Sequence, residues 1–247
     1  MPKFFIDKET IQGESAFIRG SDVGHITKVL RLVPGGAIRV CDGDGSDYDA
    51  EITRIEKDLI TLRLLRRYAC ETEPQINVTL FQGIPKATKM EYIIQKCTEL
   101  GVSEIVPILT KRTVVKLENA QAEQKKLDRW NKIAAEAVKQ CGRGKIPPVS
   151  PVTGIKELCG RIAEFDLVLA AYEAEEHVSL RSVLRAAGDV KSVGIIIGPE
   201  GGFGPEEVGG LCRAGAKSVS LGKRILRTET AGHTALTAVL YEAGELE

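Results

Sequence analysis

Near its carboxyl end the chain reads Ser192-Val-Gly-Ile-Ile-Ile-Gly-Pro-Glu-Gly-Gly-Phe-Gly-Pro-Glu-Glu207, and this stretch decides the fold class. The β-branched run at its start predicts a buried strand. The glycines that follow the run let main-chain amides approach a ligand that side chains would block. Pro205 predicts the start of a helix, because proline suits the first helical position and acidic side chains suit the positive end of the helix dipole.

A second stretch repeats this order of strand, glycine loop and helix: Ala216-Lys-Ser-Val-Ser-Leu-Gly-Lys-Arg-Ile-Leu-Arg-Thr-Glu-Thr-Ala231. Residues 216–221 predict a short strand that ends at Gly222, and Thr228 or Thr230 is predicted to cap the last helix. Two glycine loops at the carboxyl ends of strands predict a binding crevice in an open α/β sheet. Their spacing matches neither a dinucleotide fingerprint nor a Walker A loop, so neither kind of site is predicted.

The composition is that of an ordinary globular protein. Of the 247 residues, 43% are hydrophobic and 28% are charged, which excludes a disordered chain. No apolar run approaches the length needed to span a bilayer, and the amino terminus lacks the apolar region of a signal peptide, so we expect no membrane partner and a cytoplasmic location. Six cysteines are scattered without paired spacing, which predicts reduced thiols rather than disulfides or a zinc site.

The net charge is zero, but the basic residues are unevenly distributed. Residues 86–145 carry 13 basic and 7 acidic side chains. A basic middle on a neutral chain is consistent with a nucleic-acid footprint. A solvated helix face rich in lysine is the alternative.

The pattern along the chain predicts two domains, 1–72 and 73–247. Short strands at 37–41, 48–55 and 59–65 predict a small β-barrel. After a polar, proline-containing break near residue 74, strands and helices alternate. A capping box at Thr88 is predicted to open the first of these helices. This alternation predicts an α/β domain with a mostly parallel sheet and helices on both faces.

Four motifs carry a specific resemblance, and they occur in this order: Lys89-Met-Glu-Tyr-Ile-Ile-Gln-Lys-Cys-Thr-Glu-Leu-Gly101, Ala135-Glu-Ala-Val-Lys-Gln-Cys-Gly-Arg143, Ile197-Gly-Pro-Glu-Gly-Gly202 and Leu221-Gly-Lys-Arg-Ile-Leu-Arg-Thr-Glu-Thr-Ala231. Together they resemble the bacterial small-subunit (16S) ribosomal RNA uridine N3-methyltransferases of the SPOUT class. The amino-terminal part, with His25 and Val29-Leu-Arg-Leu32, is similar to the PUA-like barrel of that family. The resemblance covers nearly the whole chain.

The resemblance implies a fold, a cofactor and partners. It implies that 73–247 is a SPOUT methyltransferase domain with a trefoil-knotted sheet, and that 1–72 is an RNA-binding barrel. It further implies S-adenosylmethionine as cofactor, small-subunit ribosomal RNA or a ribosomal particle as partner, and a homodimer without a metal. The apolar face of the last helix, with Ala235, Leu236, Val239 and Leu240, is the expected dimer surface.

The resemblance and the character of the two loops assign the cofactor to a set of apolar, glycine and polar residues: Ala171, Tyr172, Ile197, Gly198, Pro199, Glu200, Gly201, Gly202, Leu221, Gly222, Ile225, Leu226 and Arg227. Apolar loop residues suit adenine, and glycines let the main chain close on the ribose and methionine portions. Ordinary core packing is the alternative for the leucines and isoleucines.

Two residues are predicted to be catalytic. Arg227 is placed to stabilise negative charge on the uracil carbonyl oxygens, and Glu229 to accept the N3 proton. An Arg227–Glu229 ion pair that only stiffens the loop is the alternative, and for Glu200 the alternative is a carboxylate bound by nearby amides.

Basic side chains and one histidine are predicted to contact RNA: His25, Arg31, Lys86, Lys89, Lys111, Arg112, Lys116 and Arg143. Basic residues in loops and at helix starts bind the phosphates of RNA without recognising its base sequence. A generic solvated surface is the alternative for each. Two other functions also stay open: methylation of another base or of a ribose 2′-OH, and RNA binding without catalysis.

Overall fold

The protein, seen in a computed structural model, is described over residues 3–114 and 119–246. The chain divides into two units. The first unit extends to Glu73 and includes a later segment, Val138–Ile146. The second unit comprises Pro74–Ala137 and the chain from Pro147 onward. The predicted boundaries, 1–72 and 73–247, therefore place Glu73 and the segment Val138–Ile146 in the other unit from the division that the contacts give.

The first unit is built on a five-stranded sheet of order β1-β3-β4-β5-β2. Its strands are β1 (Lys3–Phe5), β2 (Ser15–Arg19), β3 (Ala37–Cys41), β4 (Ser46–Ile55) and β5 (Leu59–Ala69). All neighbours are antiparallel except β1 and β3. A 3₁₀ turn (Lys8–Thr10) follows β1, and the short helix α1 (Ser21–Gly24) continues into a π-helical turn (His25–Val29). Alternating strand residues fill a core that includes Ile18, Ile38 and Leu62.

The second unit contains a six-stranded sheet in which every described pair is parallel. Its order is β11-β9-β10-β6-β7-β8. The strands are β6 (Asn77–Gly83), β7 (Glu104–Leu109), β8 (Thr153–Gly154), β9 (Leu167–Ala171), β10 (Ser192–Ile197) and β11 (Lys217–Val219). The helices are α2 (Lys89–Leu100), α3 (Ala120–Cys141), α4 (Ile155–Arg161), α5 (Leu180–Ala187), α6 (Pro205–Arg213) and α7 (Thr228–Glu242), and a 3₁₀ turn (Ile162–Glu164) follows α4. The last residues of α3, from Val138, belong to the first unit.

The predicted fold class is confirmed: a parallel sheet flanked by helices follows an amino-terminal β-sheet unit. The central strands are buried on both faces, so they are nearly continuous apolar runs, as parallel sheets require. A trefoil knot in this unit stays a prediction.

Two local predictions were wrong. The side chain of Thr88 makes no capping hydrogen bond to α2. Thr228 and Thr230 do not cap α7 either, because Arg227 occupies the cap position and Thr228 is the first helical residue. The Thr228 hydroxyl donates instead to the carbonyl oxygen of Gly198, at 2.6 Å.

The expected dimer surface on α7 is also corrected. Ala235, Leu236, Val239 and Leu240 are at most 2% exposed within the single chain. They are covered because α7 packs against β6, β10 and α2 of its own unit. A dimer would therefore need a different surface.

Candidate functional site

The loops that follow β9, β10 and β11 meet at one edge of the parallel sheet. These strands are neighbours in the order β11-β9-β10, and their carboxyl ends point the same way. The loops enclose a cavity of about 470 Å³. This is within the usual range for a small-molecule site, and it lies where open α/β sheets bind ligands.

Every residue predicted to hold the cofactor lines this cavity. The wall brings together Ala171, Tyr172, Ile197, Gly198, Pro199, Glu200, Gly201, Gly202, Leu221, Gly222, Ile225, Leu226 and Arg227. It also contains Lys89, Glu173, Ser220, Lys223, Arg224, Thr228 and Ala231, which the sequence did not single out as cofactor residues. The geometry gathers the predicted residues, and their binding of a cofactor stays a prediction.

A carboxylate at the start of α6 holds the first glycine loop, residues 198–204, by hydrogen bonds. Glu207 is buried and accepts hydrogen bonds from the amides of Gly204 and Lys111, both at 2.8 Å. The carboxylate lies in the first turn of α6, where the helix dipole favours negative charge. Glu207 therefore ties this loop to the segment that follows β7.

Two positions of the site require glycine, Gly83 because backbone approaches it closely and Gly202 because its φ is positive. A Cβ atom on Gly83, at the end of β6, would lie 2.4 Å from the nitrogen of Pro199. At Gly202, φ is +66°, and a Cβ atom would lie 2.2 Å from a carboxylate oxygen of Glu173. A side chain at Gly83 would force the first glycine loop away from β6, whereas at Gly202 it would strain the backbone and displace the Glu173 carboxylate.

Arg227 is exposed on the wall of the cavity, and in the part of the chain that the structure describes no ion pair reaches it. Glu229, in the first turn of α7, pairs instead with Lys89, whose Nζ lies 3.4 Å from Oε2. That oxygen is buried and makes no hydrogen bond among the described residues. The alternative of an Arg227–Glu229 pair is therefore not what the structure contains.

Glu200 is bound at the tip of the first glycine loop. Its carboxylate accepts hydrogen bonds from the amide of Lys86, at 3.1 Å, and from Nζ of Lys89, at 3.0 Å. Burial raises the pKa of Glu200, but the hydrogen bonds from Lys89 and from amides outweigh burial, and the net pKa is lowered. The bond to Glu200 likewise raises the pKa of Lys89. Lys89 thus connects Glu200 of the first glycine loop with Glu229 at the start of α7.

The basic residues predicted to contact RNA differ in their exposure and in their hydrogen-bond and ion-pair partners. Arg112 is exposed and donates from Nη1 to the carbonyl oxygen of Gly201, at 2.9 Å. Lys111 is exposed and pairs with Glu206, and Lys86 is exposed beside Glu200. These three and Lys89 surround the first glycine loop. Lys116 lies outside the described residues.

In the first unit, His25 and Arg31 are exposed. The His25 ring meets the edge of Phe4, and Arg31 has a φ of 54°. The prediction that Arg143 contacts RNA was wrong. Arg143 is 4% exposed, and its guanidinium forms an ion pair with Glu73, at 2.8 Å. A buried, paired guanidinium is not presented to a phosphate.

Within the described residues, no helix is both long and apolar enough to cross a bilayer. The same part of the chain contains no cluster of three or more histidine, cysteine, aspartate or glutamate side chains that would suit a metal ion.

Comparison with known proteins gives the family. An RNA methyltransferase domain family matches residues 71–240, and an RNA methyltransferase PUA domain family matches residues 18–65. The chain is 36% identical to ribosomal RNA small subunit methyltransferase E of Bacillus subtilis, over 98% of this chain and 97% of that protein. It is 32% identical to the protein of the same name from Mycobacterium tuberculosis, over 96% and 90%.

A solved structure agrees with these matches. The crystal structure of a ribosomal RNA small subunit methyltransferase E from Neisseria gonorrhoeae, bound to S-adenosyl methionine, superposes with a TM-score of 0.84. It is 31% identical, and the match covers 98% of this chain and 97% of that one. Family match, relatives and fold point the same way, and the chain belongs to the ribosomal RNA small subunit methyltransferase E family of RNA methyltransferases.

Proposed function

We propose that this protein transfers a methyl group from S-adenosylmethionine to N3 of a uridine in small-subunit ribosomal RNA. Membership of an RNA methyltransferase family supports the reaction class. The observation that carries the proposal is that both glycine loops line a single cavity at the carboxyl ends of neighbouring parallel strands. The crystal structure of a relative with the same fold was solved with this cofactor bound.

The residues of the cavity fit this cofactor. Ile197, Leu221 and Leu226 offer an apolar wall to adenine, and the glycines of both loops, which lack side chains, expose main chain to the cavity. Glu173 and Glu200 bring carboxylates to the wall, and carboxylates suit the cationic groups of the cofactor. When bound, the cofactor supplies a methyl group that is already activated by its attachment to a sulfonium.

Methylation at N3 forms a nitrogen–carbon bond, breaks the sulfur–methyl bond and releases the N3 proton. The neutral imide is a poor nucleophile, so the enzyme must align the base and stabilise charge as the proton leaves. Arg227 is exposed and unpaired among the described residues, which suits a cation that stabilises the uracil carbonyl oxygens. Glu229 is the proposed proton acceptor, and Lys89 beside it fixes its carboxylate.

RNA contact is proposed for the exposed basic residues around the first glycine loop, Lys86, Lys111 and Arg112, and for His25 and Arg31 of the amino-terminal barrel. We also propose that residues 73–247 form a knotted SPOUT domain and that the protein acts as a homodimer in the cytoplasm. These proposals follow from the resemblance of the motifs.

The test is to incubate the protein and S-adenosylmethionine with small-subunit ribosomal RNA, both as free RNA and as assembled particles. Mass spectrometry of the digested RNA should find N3-methyluridine. Finding 2′-O-methylation or another methylated base would replace the uridine N3 assignment. If no methyl group is transferred and calorimetry detects no cofactor binding, the remaining alternative is RNA binding without catalysis.

Arg227→Ala should reduce methylation at least 100-fold, as expected when one stabiliser of developing charge is removed. Its affinity for S-adenosylmethionine, measured by calorimetry, should change less than about threefold. Lys217→Ala, on an exposed strand position away from the cavity, is the matched control. Full activity of the Arg227→Ala variant would exclude Arg227 from the mechanism.

A further inference from the structure

Gln82 is a polar side chain buried in an otherwise apolar part of β6. It is 0% exposed, at the register position opposite Ile197 of β10. Its Nε2 donates to the hydroxyl of Thr228, at 2.8 Å, and to the carbonyl oxygen of Gly83, at 3.0 Å. Its Oε1 has no hydrogen-bond partner among the described residues. A buried amide that is only partly satisfied costs free energy, so packing alone does not account for it.

Thr228 extends this connection to the cavity. Its hydroxyl accepts from Gln82 and donates to the carbonyl oxygen of Gly198, at 2.6 Å. Thr228 is 6% exposed and starts α7, whereas Gly198 starts the first glycine loop. Both residues line the cavity. The chain of hydrogen bonds therefore joins the sheet, the first glycine loop and the end of the second loop.

Two glycines allow close packing next to Gln82. Gly83 lies directly under Pro199, where a Cβ atom would be 2.4 Å from the proline nitrogen. Gly232, one turn into α7, would place a Cβ atom 3.2 Å from Oε1 of Gln82. Gly83 therefore lets the first glycine loop approach the end of β6, and Gly232 lets α7 approach Gln82.

We propose that Gln82 and Thr228 are positioning residues that hold the two glycine loops at the separation needed to bind the cofactor. This inference rests on the proposed function for the identity of the ligand. Its physical basis is preorganisation: loops already held in the binding conformation lose less entropy when the ligand binds. The hydroxyl group of Thr228 is essential, and its methyl group is not, because the hydroxyl makes the hydrogen bonds to both Gln82 and Gly198.

Three substitutions separate the hydroxyl from the shape of the side chain. Thr228→Val keeps the shape and removes both hydrogen bonds, whereas Thr228→Ser keeps the hydroxyl. Gln82→Met removes the amide but leaves the Thr228–Gly198 bond in place. Thr230→Val is the matched control, because Thr230 is exposed in the same turn of α7 and does not line the cavity.

Amide hydrogen exchange of the free protein is measured first. Thr228→Val and Gln82→Met should accelerate exchange in both loops, residues 198–204 and 221–227, by at least tenfold, and Thr228→Ser and Thr230→Val should not. Calorimetry with S-adenosylmethionine should then show at least tenfold weaker binding for the first two variants, and affinity within about twofold of wild type for the other two. The double variant Thr228→Val, Gln82→Met should bind S-adenosylmethionine no more weakly than Thr228→Val alone, because Thr228→Val already removes the hydrogen bond between Gln82 and Thr228.

Unchanged exchange in Thr228→Val, or a Thr228→Ser variant as weak as Thr228→Val, would overturn the inference. If Thr228→Val does not fold, Gln82→Met is tested by hydrogen exchange and calorimetry, and unchanged exchange in its loops would overturn the inference. Failure of the proposed function is seen separately, as a wild-type protein that binds no S-adenosylmethionine, since the exchange of the free loops does not depend on that ligand.

Discussion

At the scale of single residues, one lysine on the cavity wall contacts two carboxylates. Lys89 pairs with Glu200 of the first glycine loop and with Glu229 at the start of α7. The sequence placed Lys89 among the RNA contacts because it stands at a helix start in a basic stretch. In the structure its ammonium group instead contacts these two carboxylates of its own unit. Glu229 and Glu200 lie 140 and 111 residues away along the chain, so no local pattern reveals these pairs.

Gly202→Ala should weaken binding of S-adenosylmethionine at least tenfold. The new methyl group would stand at a φ of +66° and meet the carboxylate of Glu173, so the loop or Glu173 must move. Gly244→Ala is the control, because Gly244 has a φ of +77° with no atom within 4 Å of the added Cβ. The positive φ alone should cost each variant about 1 kcal/mol of stability, and Gly202→Ala should lose more because Glu173 or the loop must also move, but only Gly202→Ala should lose affinity. Equal affinities in calorimetry would show that Gly202 lies away from the ligand.

At the scale of elements, the sequence predicted what depends on local pattern. The strand and loop at 192–204 follow from a β-branched run and its glycines, and α6 follows from Pro205 and the acids after it. The sequence could not predict which residues pair with side chains that lie far away along the chain. Arg143 resembled an exposed loop cation, yet Glu73, 70 residues earlier, holds it in the interior of the first unit. The apolar face of α7 indicated burial but not whether a second chain or the same chain covers it.

The Arg143–Glu73 pair should make the first unit sensitive to acid. Burial raises the pKa of Glu73, but hydrogen bonds and charge from Arg143, with the amides of Lys145 and Gly144, outweigh burial and lower it. A lowered folded pKa gives stability that is present above the unfolded pKa, about 4.3, and lost as pH falls through the folded value. Glu73→Gln should therefore cost about 2–3 kcal/mol at pH 7, seen as a melting temperature roughly 5–10 °C lower.

Thermal melts from pH 7 to pH 3 test this sign. The gap between wild type and Glu73→Gln should be constant near neutrality and should narrow below about pH 4. Glu71→Gln is the control, since Glu71 is an exposed carboxylate two residues away. A gap that stays the same at pH 3 would mean that the charge of Glu73 does not contribute to stability.

At the scale of the whole molecule, the proposed homodimer needs a surface other than the buried face of α7. Two aromatic side chains are candidates, because Tyr92 on α2 is 50% exposed and Tyr241 on α7 is 71% exposed. The helices α2 and α7 pack together, and the Tyr92 ring meets His233 of α7 at 5.4 Å between centroids. Exposed aromatic residues are enriched at protein interfaces, so the outer side of this helix pair is the expected contact.

Sedimentation of the wild-type protein should give a mass about twice the 26.8 kDa of one chain. Tyr241→Glu should shift it to the monomer, because burying an unpaired carboxylate at an interface costs several kcal/mol. Cys212→Glu, which adds the same charge at an exposed position on α6, should stay dimeric. A wild-type monomer at micromolar concentration would exclude the dimer. A Tyr241→Glu variant that remains dimeric, with its circular dichroism unchanged, would instead place the interface away from the outer side of α2 and α7.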